Sequence, residues 1–206
     1  MISSVSRNTT LLLLVTLCLI PQAWAEPASY VLTFKGGEYR WADRTQETAR
    51  TDVEYEAGTD IFVLGFERRS RYVSLGVELM RMDSDWEATD PAATRPSGRL
   101  ELWSVSFVPR KYFRPIGEFT PYVGLGVGTT RINSVYSLGS ANDKNDEYGL
   151  LYQLNLGGEW RWEGAGLTLE LKRMYVQIDD YTLAGDKDDF PDVSGTTGTL
   201  GVSFLF

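Results

Sequence analysis

Five segments of this chain alternate apolar with polar or small residues at a period of two, the signature of strands with one apolar face. Val73, Leu75, Val77 and Leu79 oppose Ser74, Gly76 and Glu78, and Val123, Leu125 and Val127 oppose Gly124, Gly126 and Gly128. Leu150, Tyr152, Leu154 and Leu156 stand against Gln153, Asn155, Gly157 and Glu159, and Leu167, Leu169 and Leu171 against Thr168, Glu170 and Lys172. The last segment sets Leu200, Val202, Phe204 and Phe206 against Thr199, Gly201 and Ser203. Further strands are predicted over 30–41 and 60–68. An eighth is predicted over 99–108, where Leu100 and Leu102 fall opposite Trp103, Val105 and Phe107, so a bulge is expected there.

The links between these segments alternate in length. Short ones are predicted at 67–72, 109–119 and 163–166, and long polar ones at 42–58, 83–97, 133–146 and 179–194. With every long loop at one end, the expected fold is all-β: an eight-stranded antiparallel up-and-down β-barrel. Alternation alone does not say which face meets which medium. A soluble lipocalin-like barrel turns its apolar face inward, whereas a transmembrane barrel turns it to lipid and keeps a polar lumen.

Three features favour the transmembrane form. Aromatic residues gather near strand ends (Tyr30, Trp41, Tyr72, Trp86, Trp103, Tyr112, Phe113, Phe119, Tyr122, Tyr148, Trp160, Trp162 and Tyr175), as interfacial girdles do. Gly76, Gly124, Gly126 and Gly128 fall on the polar face, where a narrow lumen crowds side chains. The chain also ends on Phe206 in mid-pattern, where a soluble domain commonly frays into polar residues.

The first 25 residues place Arg7 before a ten-residue apolar run, Leu11 to Ile20, and end on Ala23-Trp24-Ala25, the layout of a cleaved export signal. The run is too short to span a bilayer as a helix. Residues 1–25 are therefore expected to be removed, taking the single cysteine, Cys18, with them and leaving 26–206 as the barrel domain. That product of 181 residues carries 19 basic and 28 acidic side chains, a surface that repels nucleic acid. Beyond residue 25 no apolar run approaches the ~18 residues of a membrane helix, so insertion requires strands.

The final strand, with Leu200, Val202, Phe204 and a terminal Phe206, resembles the C-terminal signal by which the barrel-assembly machinery recognises bacterial outer-membrane proteins. The segment KYFRPIGEFTPYVGLGVG, residues 111–128, is similar to the periplasmic turn and following strand of the small outer-membrane β-barrel superfamily, which includes OmpA-like, OmpX-like and OmpW-like proteins. The resemblance implies a monomeric or weakly oligomeric barrel in the outer membrane of a Gram-negative bacterium, in contact with outer-membrane lipid and lipopolysaccharide. It implies no single function, since the superfamily includes adhesins, tethers, passage proteins and enzymes. The expected absence of a peptidoglycan-binding domain after the barrel departs from the full-length OmpA type.

The chain contains no histidine, which removes the central group of imidazole-based hydrolysis and of His-rich metal sites. The barrel enzymes of the superfamily resemble one another in relying on histidine. Paired carboxylate chemistry would fall to Glu78, Glu159 and Glu170. These are expected instead to form a lumen polar network with Lys172, and with Arg161 or Arg131, as a narrow polar core satisfies itself. The run Asp179, Asp180, Asp186, Asp188, Asp189 and Asp192 matches no calcium-binding loop and reads as solvated, as does 140–147.

No catalytic, cofactor or metal site is therefore expected. The function predicted is that of a non-enzymatic scaffold presenting four long acidic extracellular loops to an unidentified partner, for surface interaction or envelope integrity. Two alternatives stand beside it. One is an OmpW-like passage for small hydrophobic molecules, which needs a lumen lined near the loops by Phe, Tyr and Leu; the lumen residues assigned from sequence are mainly polar. The other is a soluble periplasmic lipocalin-like binder, which would leave Glu78 and Glu170 in water.

Overall fold

The computed structural model describes residues 29–42, 45–47, 52–55, 58–89, 97–138, 141–178 and 193–206. The expected export leader, residues 1–25, and the acidic run at 179–192 lie outside them. Ten strands form one sheet: β1 (Ser29–Trp41), β2 (Thr45–Glu47), β3 (Asp52–Tyr55), β4 (Thr59–Arg69), β5 (Val73–Thr89), β6 (Ser97–Tyr112), β7 (Phe119–Leu138), β8 (Ala141–Trp162), β9 (Ala165–Ile178) and β10 (Gly195–Leu205). Eight of them close a barrel. Each pairs antiparallel with its neighbours in chain order, and β1 seals the wall against β10 on one side and β4 on the other. The short β2 and β3 extend the sheet beside the upper end of β5.

The short-turn end is built by local chemistry. The Ser70 N–H and hydroxyl both donate to the Val73 carbonyl, at 2.8 and 3.0 Å, closing the β4–β5 turn. Gly117 (φ 63°) and Gly164 (φ 75°) hold the left-handed conformations that the two tight turns between β6 and β7 and between β8 and β9 require. The seam between β1 and β10 closes at the same rim, where Tyr30 and Phe206 exchange backbone hydrogen bonds of 2.9 and 3.0 Å.

Two expectations about connections are corrected. The segment 133–146 is a tall hairpin, since β7 runs to Leu138 and β8 starts at Ala141. Likewise β5 continues to Thr89 and pairs β6 from Ser97, so most of 83–97 is ladder. Their Asp, Asn and Ser residues look like loop residues but sit in strands, because cross-strand hydrogen bonding overrides weak local propensity. The expected bulge in β6 is also absent. Register runs unbroken from Val73↔Lys111 to Glu87↔Ser97, with Leu100 and Leu102 pointing inward and Trp103 and Val105 outward.

The faces are inverted relative to a soluble barrel. Leu169, Leu171, Leu200 and Phe62 are each more than half exposed on the outside, while Glu78, Glu170 and Lys172 are 1% exposed inside. That arrangement overturns the lipocalin-like alternative, which requires the reverse. On β8 the apolar outer face between Tyr148 and Trp160 spans roughly 30 Å, at ~3.3 Å per residue and a tilt near 40°. This is the thickness of a bilayer's hydrocarbon core.

The aromatics divide between two roles. Tyr30, Tyr72, Phe113 and Trp162 are exposed at the short-turn rim, and Trp103, Tyr148 and Tyr175 toward the loop end, as girdles. Trp41, Tyr112 and Tyr122 are instead buried in the lumen, contrary to expectation, because their positions share the inward parity of their strands.

Candidate functional site

The lumen is divided into two halves. Toward the short turns it holds four carboxylates, Glu67, Glu78, Glu159 and Glu170, and four cations, Lys35, Arg69, Arg110 and Lys172, all nearly inaccessible. Lys35 Nζ donates to Glu78 Oε1 at 2.6 Å and Glu170 Oε1 at 2.7 Å, and Lys172 Nζ to Glu78 Oε2 at 2.7 Å. Arg110 donates to Glu78 at 2.5 Å and Glu67 at 3.0 Å. Arg69 bridges Glu67 and Glu159 and reaches the Tyr112 hydroxyl at 2.6 Å.

Neutral groups complete the set. Tyr122 donates to Glu170 at 2.8 Å, Ser203 to Glu159 at 2.5 Å, Ser74 to Glu67 at 2.8 Å and Gln153 to Glu78 at 3.1 Å. Each of the eight barrel strands contributes at least one member. The network is thus electrically balanced and hydrogen-bonded, the condition under which buried charge is tolerated.

Room for these long side chains comes from glycine. A Cβ on Gly76 would stand 2.9 Å from Glu67 Cβ, and one on Gly124 3.0 Å from Arg110 Cγ. At Gly126 it would collide with Gln153, whose Nε2 would be 2.6 Å away. A cavity within the network, bordered by Lys35, Glu67, Glu78, Arg110 and Tyr122, has about 20 Å³, enough for a single water. No substrate fits there. Every carboxylate is already engaged by cations, so none is available as an acid or base to an incoming group.

Toward the loops the lumen turns apolar. Tyr39, Met80, Met82, Leu102, Ile132 and Leu151 pack into one buried cluster with their neighbours. The mainly polar lumen expected from sequence therefore holds only for the short-turn half. Parity carries Leu100, Leu102, Leu151 and Met174 inward; Leu100 and Leu102 need no bulge to do so, and Leu151 and Met174 are masked in the sequence by the stronger outward apolar residues beside them, Leu150 and Tyr175.

The four predicted network residues, Glu78, Glu159, Glu170 and Lys172, are all in the lumen, Glu78 and Glu170 sharing Lys35 and Lys172, and Glu159 joined through Arg69. Arg161 pairs with Glu159 at 2.9 Å from the rim. Arg131 does not join them: it points outward on β7 and grips Asp146. Lys35, Glu67, Arg69 and Arg110 escaped the sequence reading. Glu67 and Arg69 lie in what reads as a turn, yet their parity with Val63 and Gly65 against Phe62, Leu64 and Phe66 marks them as inward. At the carboxyl terminus, Leu200, Val202, Phe204 and Phe206 all face outward. Among the described residues, no group of three or more acidic or thiol side chains could hold a metal ion.

A closed antiparallel barrel with an apolar exterior and a charged interior has the architecture of a small transmembrane β-barrel. Comparison with solved structures bears this out at the level of fold. The Neisserial surface protein NspA superposes with a TM-score of 0.54 at 15% identity, covering 88% of this chain and 100% of that one. Outer membrane protein W of Escherichia coli gives 0.52 at 16%, covering 88% and 100%. Ail, the attachment invasion locus protein of Yersinia pestis, solved with the heparin analogue sucrose octasulfate, gives 0.51 at 13%, covering 87% and 97%. No protein-family model matches the chain, and no curated protein does.

Proposed function

We propose that this chain is a non-enzymatic outer-membrane protein, exported through its leader and inserted with short turns toward the periplasm, which acts at its loop end. The charged plug carries the reading. With all eight strands tied to a charged network whose cavity has space for one water, the short-turn half of the barrel offers ions and solutes no axial path. What remains for function is the surface beyond the wall.

The charge of that surface suggests its partner. Segments 42–58, 83–97, 133–146 and 179–194 carry 17 acidic against 5 basic side chains. Ail was solved with a polyanion; a surface of the present charge repels one and attracts a cationic protein or peptide. Two measurements on the barrel in nanodiscs test this. Planar bilayers should show no steady conductance, and polylysine should bind with strong salt dependence while heparin does not. Open-channel conductance, or heparin binding, would overturn the proposal.

One observation favours a second reading, passage of small hydrophobic molecules. The loop half of the lumen is lined by Tyr39, Leu100, Leu102 and their apolar neighbours, as that reading requires. Because the plug blocks the axis below, a molecule entering from the loops would have to leave sideways through the wall. Quenching of tryptophan fluorescence by a small apolar probe, lost on Leu102→Asp, would support it.

A further inference from the structure

The mouth of the barrel is uneven in height. β5 and β6 stay paired as far as Glu87↔Ser97 and β7 and β8 as far as Leu138↔Ala141, and β3 carries the wall on above β4. The ladder between β1 and β10 ends lower, at Trp41↔Gly195. Tyr39 is there level with Thr59, whose hydroxyl donates to Ser84 Oγ at 2.9 Å, and from Ser84 β5 continues to Thr89. Among the described residues, the apolar half of the lumen therefore comes nearest to the outside at the β1–β10 seam.

The two residues before β10 close that low point. Val193 is fully buried and packs into the apolar cluster, although it lies outside the named strands. The Tyr39 hydroxyl, buried among the same side chains, donates to the Val193 carbonyl at 2.5 Å. Ser194 holds the neighbouring strands: its carbonyl accepts from the Ala42 N–H at 2.9 Å, and its Oγ from the Val176 N–H at 3.2 Å. Gly195 makes room for the phenol, since a Cβ there would stand 2.4 Å from Tyr39 Cζ. Trp41 backs the ring edge-on, with 5.1 Å between centroids. The inward turn of this lip thus hangs on one side-chain hydrogen bond and one valine, and water can pair the hydroxyl and carbonyl that part when it swings out.

We propose that Tyr39 and Val193 form a latch over the apolar half of the lumen, which admits a small hydrophobic molecule from outside when Val193 swings away. This rests on the passage reading above and supplies its gate. With the latch shut, Tyr39, Trp41 and Val193 cover the cluster and keep water from it. The interior suits a guest of variable shape, because Met80, Met82 and Met174 all lie in the cluster and unbranched thioether side chains repack readily around an inserted group.

The test compares the full barrel with Tyr39→Phe, both in phosphatidylcholine nanodiscs; the variant keeps the ring and removes the bond. Amide hydrogen exchange at Ala42 and Val176, the two N–H groups that Ser194 accepts, should quicken about fivefold, the population shift from losing one hydrogen bond of ordinary strength. Exchange at Val123 and Val127, across the barrel on β7, should not change. With 1-bromohexane as probe, the part of the tryptophan quenching that Leu102→Asp abolishes should develop about fivefold faster in Tyr39→Phe. Tyr30→Phe, which removes a hydroxyl at the opposite rim, should alter neither rate. Unchanged exchange at Ala42 and Val176, or equal quenching rates in the two proteins, would overturn the latch and leave the passage reading standing. Absence of lumen quenching from both proteins would overturn the passage reading itself, so the two failures are distinguishable.

Discussion

Lys172 Nζ meets Glu78 Oε2 at 2.7 Å inside the barrel, although the two residues sit on β9 and β5, strands that share no backbone hydrogen bond. Glu78 also receives Lys35, Arg110 and Gln153. One carboxylate thus ties together β1, β5, β6, β8 and β9 across the lumen. Glu78→Gln leaves three buried cations short of a counter-charge, and breaking such an arrangement from one side costs about 3–5 kcal/mol. The expected result is a lower urea midpoint for loss of the folded band on unboiled gels. The cycle of Lys35→Gln and Glu170→Gln should show a coupling of about 0.5–3 kcal/mol, since the two share one network.

The medium facing the outer wall is open to direct test at Leu171, which is 54% exposed at mid-height on β9. In water, Leu171→Arg at such a position would be nearly neutral. Against hydrocarbon it should cost about 2–4 kcal/mol. Equilibrium folding into phospholipid vesicles measures the difference, with Lys111→Leu at the rim as a comparison of small effect.

Much of this structure is visible in the sequence because a strand has only two faces. Once Val77, Leu79 and Leu169 are assigned outward, Glu78 and Glu170 must point in, and the network follows. The reading fails where parity competes with composition. Glu67 and Arg69 lie in a charged stretch that looks like a turn, and Trp41, Tyr112 and Tyr122 resemble girdle residues until the register turns them inward. The hairpin over 133–146 is missed for a related reason, since its polar residues have no apolar partner face to reveal the period. Which cation meets which carboxylate was not legible at all, because it depends on the stagger of strands around the closed barrel.

Glycine on the inward face is a packing requirement that can be separated from fold propensity. Gly126→Ala places a methyl group where Gln153 now lies, and displacing that side chain breaks its bond to Glu78. Overpacking of this kind costs about 1–3 kcal/mol. The pair Gly126→Ala with Gln153→Ala should recover part of the loss, the collision being gone although the hydrogen bond to Glu78 is not restored. A double variant no more stable than Gly126→Ala alone would show that the cost lies in the backbone instead.

The terminal residue distinguishes assembly from stability. Phe206 is 69% exposed and makes its hydrogen bonds to Tyr30 through backbone atoms alone. Removing the ring should therefore leave the purified barrel nearly as stable as before, within about 0.5 kcal/mol for an exposed position of this kind. If Leu200, Val202, Phe204 and Phe206 form the assembly signal that their pattern resembles, Phe206→Ala should still reduce the amount reaching the outer membrane in cells. Refolding yield in detergent and the folded fraction in membrane preparations are to be measured on the same variant. A parallel fall in both would assign Phe206 to the stability of the β1–β10 seam, whereas a fall in cells alone would assign it to recognition before the barrel closes.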